Sequence, residues 1–75
     1  MMKETQAQRK LGDAIRKRRE ALGFSQEKFA DEVGLHRTYY GNVELGKNNL
    51  TLKTLTKISE GLKRKLADLF ADASL

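Results

Sequence analysis

The chain contains no cysteine, no proline and only one histidine among its 75 residues. Without cysteine there can be no disulfide, no thiolate nucleophile and no Cys-ligated zinc, and a reducing, intracellular setting suits it. Stability must therefore come from packing. Gly-rich phosphate loops, Ser-His-Asp orders and metal-ligand spacings are also missing, so an enzyme is not expected and neither is a cofactor. Long hydrophobic runs are absent too. No apolar stretch approaches the roughly 18 residues of a membrane span, and the first six residues, Met-Met-Lys-Glu-Thr-Gln, lack the apolar segment of a secretory signal. These absences predict a soluble, cytoplasmic protein without a membrane partner.

Positive charge is plentiful. Lys and Arg total 15 against 10 Asp and Glu, a formal charge of +5 with a pI near 9.8. That balance favours an anionic partner, and nucleic acid or an anionic membrane surface would both satisfy it. A chain this short forms one domain, residues 1–75, which buries only about 60% of its unfolded surface. It needs every large apolar residue it has.

Apolar residues recur every three or four positions throughout, which predicts an all-α domain of five helices. A first helix over roughly Thr5 to Leu22 would place Leu11, Ala14, Ile15 and Leu22 inward and spread Arg16 to Arg19 around its cylinder, with Gly23 ending it. Ser25 is an N-cap for a second helix whose first turn carries Glu27, favourable to the helix dipole. Phe29, Ala30 and Val33 face the core. Gly34 supplies the left-handed conformation of a turn, and Leu35 returns inward. A third helix should run from about His36 to Leu45, closed by Gly46 and followed by a polar loop at Lys47, Asn48 and Asn49. Thr51 is the expected cap of a fourth helix bearing Leu52, Leu55, Ile58 and Leu62. Leu66, Leu69 and Phe70 belong to a short fifth helix, and the last five residues are expected to fray.

Residues 26–45 thus have the pattern of a helix-turn-helix: an apolar period broken once at Gly34 and resumed within two residues. At about 100° per residue, Arg37, Thr38, Gly41, Asn42 and Leu45 share one sector of the third helix, while His36, Tyr40 and Val43 lie roughly opposite. One face can pack while the other enters a major groove roughly 12 Å wide. Arg37 can fork onto guanine, Thr38 can touch a thymine methyl or donate a hydrogen bond, and Asn42 can pair with adenine. Taken singly these residues are also what a solvated helix face contains. Gly41 is the unusual member, because glycine inside a helix costs roughly 1 kcal/mol against alanine. Either a groove wall or a neighbouring helix could require the missing side chain.

With Gln26, Ala30 and Gly34 at the motif's fixed positions and Phe29, Val33, Leu35, Tyr40 and Val43 in its core, the chain resembles the phage repressor and Cro-like helix-turn-helix family from Leu11 to Phe70. The run Gly34-Leu35-His36-Arg37-Thr38-Tyr39, with Asn49-Leu50-Thr51, is most similar to the controller proteins of restriction-modification genes. This resemblance implies a lambda repressor-like domain with its core over about residues 7–71, acting as a dimeric DNA-binding regulator. It carries Arg37 and Thr38 over as base readers, with Asn42 a third. Tyr39 is implied as a contact to the sugar-phosphate backbone, although a half-exposed packing ring is an equal reading. Gln26 would hold a phosphate at the positive end of the second helix, and Lys47, Asn48, Asn49 and Thr51 would line the same strand, Thr51 while also capping. His36 would be structural or touch phosphate. Arg19 and Glu44 match a structural ion pair in this family. Two departures stand out: Tyr40 replaces a smaller aliphatic residue, and Lys65 sits where a Ser or Thr often caps the last helix.

The sequence therefore predicts a homodimer on a palindromic operator, because one recognition helix reads too few base pairs to discriminate alone. Leu62, Leu66, Leu69, Phe70 and Leu75 are the candidate interface residues. An antitoxin or another partner-binding regulator could use the same fold, and a basic amphipathic membrane-surface or protein-interaction module is the alternative without DNA. Activation, repression and contact with RNA polymerase are left open.

Overall fold

The computed structural model describes residues 6–75, so the expected start of the first helix at Thr5 lies outside the described residues. Five helices follow: α1 (Gln6–Ala21), α2 (Gln26–Val33), α3 (Arg37–Glu44), α4 (Leu52–Gly61) and α5 (Leu66–Asp72). No strand occurs among the described residues. α1 packs against both α3 and α5, and α2 against α3 and α4, so α3 is gripped from two sides.

The local signals act as the sequence predicts. The Ser25 hydroxyl accepts the amide of Lys28, and the Thr51 hydroxyl accepts that of Thr54. Gly34 adopts φ 74° and closes α2 through its amide, which donates to Ala30 and Asp31 carbonyls. Such a conformation would strain any residue with a Cβ. The turn delivers Leu35 back to the core, where it is half-buried.

Ile15, Phe29, Tyr40, Ile58, Leu62 and Leu69 are buried essentially completely and form the centre of the core. The Phe29 ring meets Phe24 edge-on at 5.4 Å and tilts against Tyr40 at 5.3 Å. Leu62 and Leu69, counted among the interface candidates, are thus committed to the protomer's own core at 0% exposure. Their helices turn them inward, and only Leu66 and Phe70 (half-buried) and Leu75 (exposed) keep surface for a partner.

Other expectations are corrected as well. Leu52 points outward at 71% exposure, because α4 begins beyond the edge of the core. Leu22 is also exposed, lying just past the end of α1. The C-terminus does not fray. Ala73 is buried, and the Leu75 amide donates to the Phe70 carbonyl at 2.9 Å, folding the last residues back on α5. A bidentate Arg64–Asp72 pair, 2.7 and 2.9 Å, further ties that end to the preceding turn.

The basic run of α1 is dispersed, as its spacing predicts. Arg16 pairs with Asp13 and Glu20, Lys17 with Asp13, and Arg18 donates to the Leu62 carbonyl at 3.0 Å, while Arg19 is buried. A membrane-surface reading would need these cations on one free face, and they do not share one.

Candidate nucleic-acid interface

A buried ion pair ties α1 to the last residue of α3. Arg19 of α1 donates from Nε and Nη2 to the two Glu44 carboxylate oxygens at 2.7 and 3.1 Å, and its Nη1 donates to the Phe24 carbonyl at 2.7 Å. Glu44 also accepts from Gln26 Nε2 at 2.9 Å and from the Tyr40 hydroxyl. The larger residue at position 40 has therefore found its partner, on the carboxylate one turn along the same helix. Burial pushes the Glu44 carboxyl up, but the hydrogen bonds from Arg19, Gln26 and Tyr40 outweigh it and hold the carboxyl below its ordinary value. The Tyr40 phenol moves the other way, raised far above its usual range by burial and then by its bond to the Glu44 carboxylate.

α3 is shorter at its start than expected, because His36 lies outside it as the N-cap. His36 Nδ1 accepts the Thr38 amide at 3.1 Å. His36 is exposed rather than on the core side, since an N-cap residue leaves the helical path before the core-facing row begins. Its bond assigns the ring proton to Nε2, which remains available as a donor.

Tyr40, Val43 and Glu44 are buried beneath α3, whereas Arg37 and Thr38 are exposed on its outer side. Gly41 and Asn42 are half-buried, and Leu45 is 60% exposed. The structure thus exposes two of the three expected base readers, Arg37 and Thr38, on one helix and leaves the third, Asn42, half-buried. Arg37 does not stand alone there. Its Nη1 lies 2.6 Å from Glu27 Oε2 across the turn, with both side chains nearly two-thirds exposed. A Cβ at Gly41 would meet only Gln26 Oε1, at the ordinary distance of 3.7 Å, so no neighbouring helix accounts for this glycine.

The residues assigned to the DNA backbone divide. Gln26 is exposed at the start of α2, yet its amide is engaged by Glu44. Lys47 is exposed, and its amide closes α3 by donating to the Asn42 carbonyl at 3.0 Å. Asn48 turns inward instead, with its side-chain amide 3.4 Å from the Tyr39 carbonyl. Gln8 of α1 clamps this loop, donating to the Asn48 carbonyl at 3.2 Å and to Asn49 Oδ1 at 2.6 Å. Thr51 is exposed while serving as cap. Tyr39 is half-buried and packs against the core, which its packing reading requires.

Sequence reasoning missed two participants, Glu27 and Gln8. Glu27 was legible only as a favourable charge at a helix start, and its partner lies ten positions away across a turn. Gln8 reaches a loop forty residues distant, for which no local pattern gives a signal. Among the described residues no cluster of His, Asp or Glu could hold a metal ion, and no helix is long and apolar enough to cross a membrane.

The helix-turn-helix family profile matches residues 15–69. Control protein C.MunI of a Mycoplasma species is 45% identical over 64 residues, spanning 84% of this chain and 86% of that protein. Control protein C.SmaI of Serratia marcescens is 37% identical over 65 residues, spanning 87% and 77%. Among solved structures, the restriction-modification controller protein C.AhdI of Aeromonas hydrophila superposes with a TM-score of 0.78 at 38% identity, covering 81% of this chain and 92% of that one. The wild-type controller protein C.Esp1396I gives a TM-score of 0.85 at 32% identity, covering 95% and 92%.

Proposed function

The chain belongs to the helix-turn-helix family, and from that premise we propose that it regulates restriction-modification genes by binding a palindromic operator as a homodimer. The observation that carries this reading is the division of α3: Tyr40, Val43 and Glu44 are buried, whereas Thr38 and Arg37, the latter paired with Glu27, are exposed, and Gly41 and Asn42 are half-buried. A helix so divided can enter a major groove without giving up its packing. Arg37 and Thr38 read base edges, with Asn42 third. Gln26, His36, Lys47, Asn49 and Thr51 lie at helix starts or in the loop, the places from which a domain holds phosphates. The close controller-protein relatives favour this reading over an antitoxin.

Two-fold symmetry would join two such helices. Phe70 and Leu75 border a cleft of about 240 Å³ that also includes Leu50 and Leu55, and with Leu66 they are the interface candidates that keep surface outside the core. Selection of bound sites from a random DNA pool tests the proposal. The expected result is a symmetric consensus with half-site centres about one helical turn apart, roughly 34–36 Å. Arg37→Ala should then reduce preference at one position per half-site by about 1–3 kcal/mol. An asymmetric consensus, or an unchanged ratio of operator to random-DNA affinity in Arg37→Ala, would overturn it.

A further inference from the structure

We propose that Glu27 determines specificity by holding Arg37 as it reads a base, an inference that rests on Arg37 being a base reader. The pair joins the second residue of α2 to the first of α3 at 2.6 Å, and both side chains are nearly two-thirds exposed. An ion pair so exposed adds little to stability. It has no packing role either, because neither side chain is buried. What it does is fix a long, flexible arginine that would otherwise sample many rotamers.

The geometry of the contact matters. Glu27 takes Nη1, which leaves the guanidinium edge formed by Nε and Nη2 unused. That edge carries two parallel donors, the match for O6 and N7 of guanine. Arg37 can therefore keep its carboxylate partner while it reads. The same carboxylate repels a phosphate that approaches the guanidinium, so Arg37 is discouraged from serving as a sequence-independent backbone contact. One acidic residue would thus lower affinity for all DNA and raise the preference for the operator.

The test is a double-variant cycle on operator and random duplexes, with Glu27→Gln, Arg37→Ala and the combined protein, each checked for an unchanged melting temperature. Glu27→Gln should bind random DNA more tightly with a salt slope steeper by about one unit, and its operator-to-random ratio should fall about five-fold or more, the scale of one bidentate base contact. In the Arg37→Ala background the same change should leave the ratio where Arg37→Ala put it. If Glu27→Gln shifts both duplexes equally, or lowers the ratio just as much without Arg37, the inference is overturned while base reading by Arg37 stands. If Arg37→Ala alone leaves the ratio intact, base reading fails and the role of Glu27 falls with it.

Discussion

Replacing Gly41 by alanine should make this protein more stable and worse at binding its operator. Gly41 is the fifth residue of α3, in the helix interior. The added methyl meets Gln26 Oε1 at 3.7 Å and nothing nearer, so nothing has to move. What remains is backbone preference, in which alanine exceeds glycine by about 0.8–1.0 kcal/mol. In a domain of this size that gain raises the melting temperature by about 4–8 °C. Gly12 provides the control. A Cβ there would lie 2.5 Å from the Glu44 carbonyl oxygen and 2.6 Å from that of Val43. Both are backbone atoms, at the place where α1 seats the end of α3, and neither can swing aside. Gly12→Ala should therefore lose stability by about 1–3 kcal/mol despite the same propensity gain.

Crowding inside the protomer does not account for this glycine, and in the proposed function the outer face of α3 meets DNA. Thermal melts followed by circular dichroism, with operator titrations on the same preparations, read both consequences. A lower melting temperature for Gly41→Ala would refute the packing argument. A raised one with unchanged operator affinity would refute the groove wall as the reason for the glycine.

Truncating Arg19 to alanine leaves Glu44 buried without its main partner and should cost about 3–5 kcal/mol in denaturant unfolding. Because the Glu44 carboxyl lies below the ordinary 4.5 in the folded protein, the stability it contributes is present above that value and is lost as pH falls through the lower folded one. Glu44→Gln should accordingly flatten the acid limb of a stability-versus-pH curve, and an unchanged limb would remove Glu44 from its cause. Tyr40→Phe takes one donor from the same carboxylate and should cost about 1.5–3 kcal/mol, checked in the same unfolding experiment. Lys47→Ala should weaken operator and random DNA alike and reduce the salt slope by about one unit in titrations at several ionic strengths. For the dimer, Leu75→Glu should shift the association equilibrium to monomer in sedimentation without lowering the melting temperature, since Leu75 is 52% exposed.

The parts of this molecule that were legible in its sequence are those where one residue type meets one local need. Ser25 and Thr51 show themselves as caps because an orphan amide requires an acceptor at that place, and Gly34 because the turn requires positive φ. The core of α3 is legible from its period. Periodicity marks a stripe, however, and the stripe's covered width depends on how the next helix crosses it. Leu62 and Leu69 are therefore sealed inside while Leu52, on the same apolar pattern, stands 71% exposed. Close approach leaves still less trace. Gly12 and Gly61 look like poor helix formers until Val43, Glu44, Val33 and Phe29 are seen where their side chains would be. The site divides the same way. Which face Arg37 occupies follows from counting along one helix, but its partner Glu27 belongs to another, and only the crossing of α2 and α3 brings the two together. The exposed face of a proposed base reader can thus be found by pattern, whereas its ion-pair partner emerges from tertiary geometry, and for that reason the Glu27 cycle tests the fold and the proposed function in one experiment.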